Sequence, residues 1–383
     1  MSHLQSVAGG PSSSFAHFML EEIYAQPDAV KETVRSHIDS GGNVTLDRDP
    51  FSPEQLRSLE RITIIASGAS RHAGLAGKIM IESLVGIPVD VEPASEYCYR
   101  KPIPNIRSLA IVVTQSGETG DTLAAQRIAA EAGLTTLSIC NVEDSTIVRE
   151  TDGALFTYAG KEIAIPATKS FTTQLTAMYL FSLYLATARG AVSAEQLALL
   201  VGELQEIPWK LQSSIKTMDE QAARIAKDFY QHQSFLILGR GVHHPIALEA
   251  ALKLKESAYI HAEGYAAGEV RHGPTALLDQ STPVIVIATC DEDDPDSMIR
   301  YQKTVSLSEE LRVQSGRIIL VASQGDHWAQ DFEPNVMTVP KATELLLPLL
   351  EIVPLQLLSY HIAILNNVNV DRPRHLAKFV KQD

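Results

Sequence analysis

The chain has 383 residues, with 32 Lys and Arg against 46 Asp and Glu, for a formal net charge of −14. That length suits two domains with sizeable cores, and a composition 45% apolar and 20% charged excludes a disordered chain. So acidic a surface repels nucleic acid and anionic membrane, although backbone dipoles and hydroxyls can still build a small phosphate site.

Residues 1–14, rich in Ser and Gly, read as a leader. Phe15 to Ser40 then reads as helical, with Pro27 starting a second helix rather than sitting inside one. From Ile62 the pattern becomes βα alternation. Strands are expected at Ile62–Ala66, Pro88–Glu92, Leu109–Thr114, Thr135–Cys140 and Ala154–Thr157. Helices are expected at Ala73–Val85, Asp121–Ala132 and Thr172–Thr187. The second half repeats the plan with strands at Phe235–Leu238, Val284–Ala288 and Arg317–Ala322, and a helix over Pro245–Ala258. The first strand-to-glycine turns lie 171 residues apart, from Gly68 to Gly239, which implies internal duplication. The expected class is therefore α/β, two mainly parallel sheets with helices on both faces. The divisions are 1–54 (leader and N-terminal helices), 55–205, 206–367, and a C-terminal tail over 368–383.

Cys98, Cys140 and Cys290 lie far apart with no CxxC spacing. They read as small buried thiols in a reducing compartment, not as a disulfide framework or metal site. No signal-peptide profile opens the chain. The most apolar stretch, Glu344–Leu365, is interrupted by Pro348, Glu351, Pro354, Gln356 and His361 and is not expected to span a membrane. The expected setting is cytoplasmic.

Two loops of the first half can hold an anion at the carboxyl ends of strands, where helix N-termini present free N–H groups. They are Ser67-Gly68-Ala69-Ser70 and Gln115-Ser116-Gly117-Glu118-Thr119. Helix capping by Ser and Thr would explain either loop alone. A nicotinamide site is the weaker reading, because Gly239-Arg240-Gly241-Val242-His243-His244 has His where a dinucleotide turn needs its third glycine. In the second half Glu249, Lys253 and Glu256 share one helix face, as a solvated ion-pair stripe or as a catalytic set. A turn closed by His272-Gly273-Pro274 follows.

These stretches resemble the sugar isomerase (SIS) family, most closely the isomerase halves of the glucosamine-6-phosphate synthases. The resemblance is carried by Gln115–Thr119, Glu249–Glu256, Tyr265–Glu269 and Arg271–Pro274. It is supported by His17-Phe-Met, Tyr99-Arg-Lys101, Ala167–Leu175 and Val370–Lys378, and it covers about residues 15–383. It implies two tandem SIS domains and a sugar-phosphate site at Ser67, Gly68, Ser70, Thr114, Gln115, Ser116, Thr119, Ile165 and Ala167. It further implies that Glu256 moves a proton between C1 and C2 with Lys253 beside it. His272, from the neighbouring subunit of a homodimer, would assist ring opening, and Lys378 would form a Schiff base with the keto sugar. No metal or cofactor is implied.

The residue types suit that chemistry. One carboxylate can shuttle a proton between adjacent carbons, and an imine-forming amine must spend time uncharged, here expected from burial near Arg372, Arg374 or other cations. Ser67, Ala69 and Ala167 depart from the Cys, Thr and Ser usual in the synthases. Ser2 stands where the synthase's glutaminase cysteine would be, and the expectation is that no glutaminase domain precedes His17. The leading expectation is an enzyme interconverting glucosamine 6-phosphate and fructose 6-phosphate with free ammonia, favouring deamination. The alternatives are an isomerase unit working with a separate glutaminase, and a non-catalytic phosphosugar sensor.

Overall fold

The computed structural model describes residues 11, 14–100, 103 and 107–378. Most of the expected leader, Lys101 and the end of the tail lie outside the described residues.

Two short helices come first, α1 (Phe18–Tyr24) and α2 (Gln26–His37). Pro27 enters α2 in its first turn, where its missing N–H costs nothing. After α3 (Pro53–Ser58), the first half runs β1 (Arg61–Ala66), α4 (Gly68–Val85), β2 (Val89–Pro93), α5 (Ala94–Tyr97) and β3 (Ser108–Thr114). It continues α6 (Gly120–Glu131), β4 (Thr135–Cys140), α7 (Thr146–Glu150), β5 (Gly153–Phe156) and α8 (Lys169–Arg189). One 36-residue helix, α9 (Ala194–Phe229), leads across the expected division at 205/206. The second half begins β6 (Ser234–Gly239), α10 (His243–Lys253), a π-helical turn (Leu254–Ala258) and β7 (His261–Ala266). Two 3₁₀ segments follow, Ala267–His272 and Pro274–Leu277. The half ends β8 (Val284–Ala288), α11 (Pro295–Ser315), β9 (Ile318–Ser323), α12 (His327–Phe332), β10 (Val336–Val339) and α13 (Leu347–Leu365).

Both sheets are parallel, ordered β2-β1-β3-β4-β5 and β10-β9-β8-β6-β7. Strand for strand these are the same topology, so the duplication is real. Its register differs from the sequence expectation. Gly68 and Gly241 both take left-handed φ, +55° and +61°, just past the ends of β1 and β6. Gly68 therefore matches Gly241 rather than Gly239, and Ser67 matches Arg240.

Side chains alternate faces along each strand and sort into three cores. Ile62 and Ile64 of β1, with Phe235 and Ile237 of β6, enter one shared core packed by α4, α8, α9, α10 and α13. Ile65 and Val112 face an outer core under α5 and α6, and Leu236 and Leu238 another, which includes Leu307 and Leu311 of α11. The apolar helix ending at Leu365 is long enough to cross a membrane, but 89% of its apolar window is buried in this shared core.

Parallel sheets leave a crevice at the carboxyl ends of their strands. In the second half an ionic network fills it. His243 Nδ1 lies 2.7 Å from Glu351 Oε1, Thr289 donates to the same carboxylate, and Arg300 Nε donates to Glu344 at 2.7 Å. Burial works against charge on His243, yet Glu351 and Glu344 outweigh it and push its pKa up to about 9. Burial likewise opposes charge on Glu344, but His243 and Arg300 hold its pKa down at about 2. A histidine raised in the folded state stabilises fully below its unfolded pKa of about 6.5 and loses that contribution as pH rises through the folded value. His243→Gln should therefore melt well below the parent at pH 6, by on the order of 3 kcal/mol. The gap should close by pH 10; a gap independent of pH would show that the imidazole is not charged in the fold.

Candidate active site

The corresponding crevice of the first half is open. A cavity of about 170 Å³ is lined by Ser67, Ser70, Thr114, Gln115, Ser116, Thr119, Ile165 and Ala167, all expected, and by Glu256 and Lys378. The helices α4 and α6 begin beside it, after Ser67 and Thr119, so their free N–H groups lie at its edge. Neither the Ser67 nor the Thr119 side chain caps its helix, which overturns the capping explanation of the two loops and leaves both hydroxyls available. Gly68 is not itself in the lining; its left-handed φ turns the chain from β1 into α4.

The second loop is shaped from within. The Gly117 N–H donates to Thr114 Oγ1 at 3.2 Å, and the Glu118 N–H donates to Ser116 Oγ at 3.2 Å. Gly117 has φ +67°, and a Cβ there would fall 2.1 Å from Ser145 Oγ. Only glycine fits that close approach. Ser70 Oγ accepts from Gln174 Nε2 at 3.0 Å, which ties the first loop to α8.

Glu256 reaches the cavity from the π-helical turn that extends α10. Such turns recur at functional sites, because the wider turn re-aims the side chains that follow. Behind it Lys253, fully buried, lies 2.6 Å from Glu256 Oε2 and 3.2 Å from Glu249 Oε1, while Glu249 Oε2 meets His72 Nδ1 at 2.8 Å. The solvated-stripe reading of these charges is thus excluded. Burial opposes charge on Lys253, but Glu249 and Glu256 outweigh it and raise its pKa above the usual lysine range. Lys253 does not line the cavity; it holds Glu256 from behind.

Lys378 Nζ donates to Glu162 Oε2 at 2.6 Å and to the Ala164 carbonyl at 2.5 Å. Its neighbour is therefore a carboxylate, not the arginines expected from sequence. Arg374 instead stacks over Tyr259, 4.3 Å from the ring centre, and its backbone N–H donates to the Tyr259 hydroxyl at 2.6 Å. This pins the tail across the π-turn. Glu162 was missed by the sequence reading, since a lone Glu in Gly-Lys-Glu-Ile carries no pattern. Burial would raise its pKa, but Lys378 and hydrogen bonds from Ser170 and the Thr168 N–H hold it below the carboxylate range. A second carboxyl, Glu22, accepts from the Ile163 and Ala164 N–H groups behind the same wall. Burial and the Glu162 charge push it up to about 7.

His272 is not brought to this cavity. It is exposed at the end of the 3₁₀ segment Ala267–His272.

A duplicated, doubly wound α/β protein with one hydroxyl-lined crevice is what the fold and site define. The SIS domain matches residues 55–184 and 228–366, and the chain belongs to the SIS family. It is 45% identical over 96% of its length to a glutamine–fructose-6-phosphate aminotransferase (isomerizing) of Chlorobaculum tepidum, and 43% identical to that of Methanosarcina acetivorans. It spans 58% of the length of each of these relatives. Among solved structures, the C-terminal domain of glucosamine-fructose-6-phosphate aminotransferase from Francisella tularensis superposes with a TM-score of 0.88. The two are 36% identical over 95% of this chain and 100% of that one. A glucosamine-6-phosphate deaminase from Thermotoga maritima, at 23% identity and TM-score 0.70 over 95% of this chain, shares the fold.

Removing Lys253 would leave Glu256 without its cation and the fully buried Glu249 with only His72 beside it. Lys253→Met should cost about 3–5 kcal/mol in urea unfolding at neutral pH. A loss under about 1 kcal/mol would mean that the carboxylates are satisfied without it.

Proposed function

We propose that this chain is the sugar-isomerising, aminating unit that converts fructose 6-phosphate and ammonia into glucosamine 6-phosphate, with the ammonia supplied by a separate glutaminase. The observation that carries the reading is one cavity in which phosphate-type donors, a carboxylate and an amine converge from both halves and the tail. The names of the relatives support it over the deaminating expectation. The reverse, ammonia-releasing direction uses the same groups, and the supply of ammonia decides between them.

The hydroxyls of Ser67, Ser70, Ser116 and Thr119, with the two helix N-termini, hold the 6-phosphate and so orient the open-chain sugar. Lys378 gives up a proton to solvent, and its amine, oriented by Glu162, attacks the C2 carbonyl; the carbonyl oxygen leaves as water and an imine forms. Ammonia then displaces the lysine, exchanging one imine for another. Glu256, held by Lys253, removes a proton from C1 and returns it to C2, leaving the aldehyde and the amine of the product. His272 acts in a partner's cavity to open the sugar ring, a role supported by its exposure and by its absence from the lining of its own cavity. On this reading the working unit is a homodimer.

The purified chain should make glucosamine 6-phosphate from fructose 6-phosphate and ammonium, and none from glutamine alone. Sugar-phosphate binding without turnover in either direction would instead identify a sensor. Glu256→Gln should lower turnover about 10²-fold or more with binding retained; near-normal turnover would remove Glu256 from the proton transfer. Borohydride should trap fructose 6-phosphate on the parent but not on Lys378→Met. An adduct on the variant would place the imine on another lysine.

A further inference from the structure

The second half carries another concave region, on the outer side of its sheet. It is a groove of about 480 Å³ between the 3₁₀ segment Ala267–His272 and α11, lined by Arg240, Gly268, Arg271, Gln302, Lys303 and Ser306. Three cations thus converge in a chain of net charge −14. Arg271 is partly committed, since its Nε and Nη2 both donate to Glu310. Among the described residues, no carboxylate pairs with Arg240 or Lys303 at salt-bridge distance. The Arg240 Nε is buried and has no hydrogen-bond partner at all. Burial, and then the charge of Arg271, pull the Arg240 pKa below the usual arginine range, as for a cation taken partly out of water with no carboxylate beside it.

The place matters as much as the charge. Arg240 follows β6 at the carboxyl end of the sheet, the end where parallel α/β folds bind ligands. By the duplication it occupies the position of Ser67, which lines the open cavity of the first half. The crevice between the strand ends of the second half is filled by the His243–Glu351 network, so the free guanidinium turns outward. Ile299, Lys303 and Ser306 stand at helical spacing on α11 and complete the opposite wall. An unpaired, partly buried guanidinium flanked by two further cations and the Gln302 amide is a phosphate-type donor set.

We propose that this groove is a second, anion-binding site, taking a phosphate monoester or diphosphate of a small metabolite, with Arg240 as its central ligand. The test is calorimetric titration of the full chain with inorganic pyrophosphate at low ionic strength. The parent should bind two per chain, and Arg240→Gln should bind one. Ser116→Ala/Thr119→Val, altered in the first cavity, should keep the event that Arg240→Gln loses. Lys303 is exposed, so Lys303→Gln leaves the fold intact and should weaken the same event about tenfold; it decides the matter should Arg240→Gln fail to fold. Glucosamine 6-phosphate filling both sites would identify a monoester site, and filling one would identify a diphosphate site. A single pyrophosphate event in the parent, or a second event unchanged in both the Arg240 and Lys303 variants, would overturn the proposal.

Discussion

A carboxylate almost sealed from water has to be paid for by partners, and Glu162 is where this fold meets that demand. Its oxygens collect the Thr168 and Ser170 N–H groups, the Ser170 hydroxyl and the Lys378 ammonium. Leaving such a charge unpaired would cost several kcal/mol, so the loop after β5, the start of α8 and the C-terminal tail are bound to one another. Those three segments are one wall of the cavity. The opposite wall rests on the same principle: Lys253, buried between Glu249 and Glu256, fixes the π-turn that presents Glu256. Two buried ion pairs, one from each half, therefore set the cavity's width and its charge.

Duplication then explains why there is one such cavity rather than two. Both sheets end in equivalent crevices, and both begin the following helix from a left-handed glycine, Gly68 or Gly241. What differs is the second loop. In the first half it is Gln115-Ser116-Gly117, small and hydroxyl-bearing; in the second it is Thr289-Cys290-Asp291, which would repel an anion. The second crevice is closed instead by His243, Glu351, Arg300 and Glu344, and the second copy contributes Glu256, from the turn that extends α10, to the cavity of the first.

The sequence made the βα alternation readable because buried parallel strands are continuous apolar runs, as at Leu109–Thr114 and Val284–Ala288. It hid β7, whose His261-Ala-Glu-Gly-Tyr-Ala is an edge strand with little β-branched character, and β10, which is four residues long. Helix α9 escaped notice because Pro208 lies inside it and its apolar positions are diluted by charge. The cavity's hydroxyls were legible from their loops, and Glu256 and Lys378 from the resemblance. Glu162 and Glu22 were not, since their roles arise from burial and from contacts far along the chain. The duplication was legible too, but its register was set by the wrong glycine, because backbone φ is invisible in a list of residues.

The N-terminus of α1 is capped from far along the sequence: the Phe18 and Met19 N–H groups donate to the Asp371 carboxylate, 353 and 352 residues away. The same Asp371 holds the Ile165 N–H through its backbone carbonyl, in the wall that also receives Lys378. Contacts of such span incur their loop-closure entropy before they return any energy. As the chain emerges from the ribosome, then, both sheets can form while the cavity is still missing a side. The cavity gains its last side only when the Asp371–Lys378 segment packs back against α1 and Ile165, so a chain that has not yet placed this segment can resemble the folded protein while its cavity stands open.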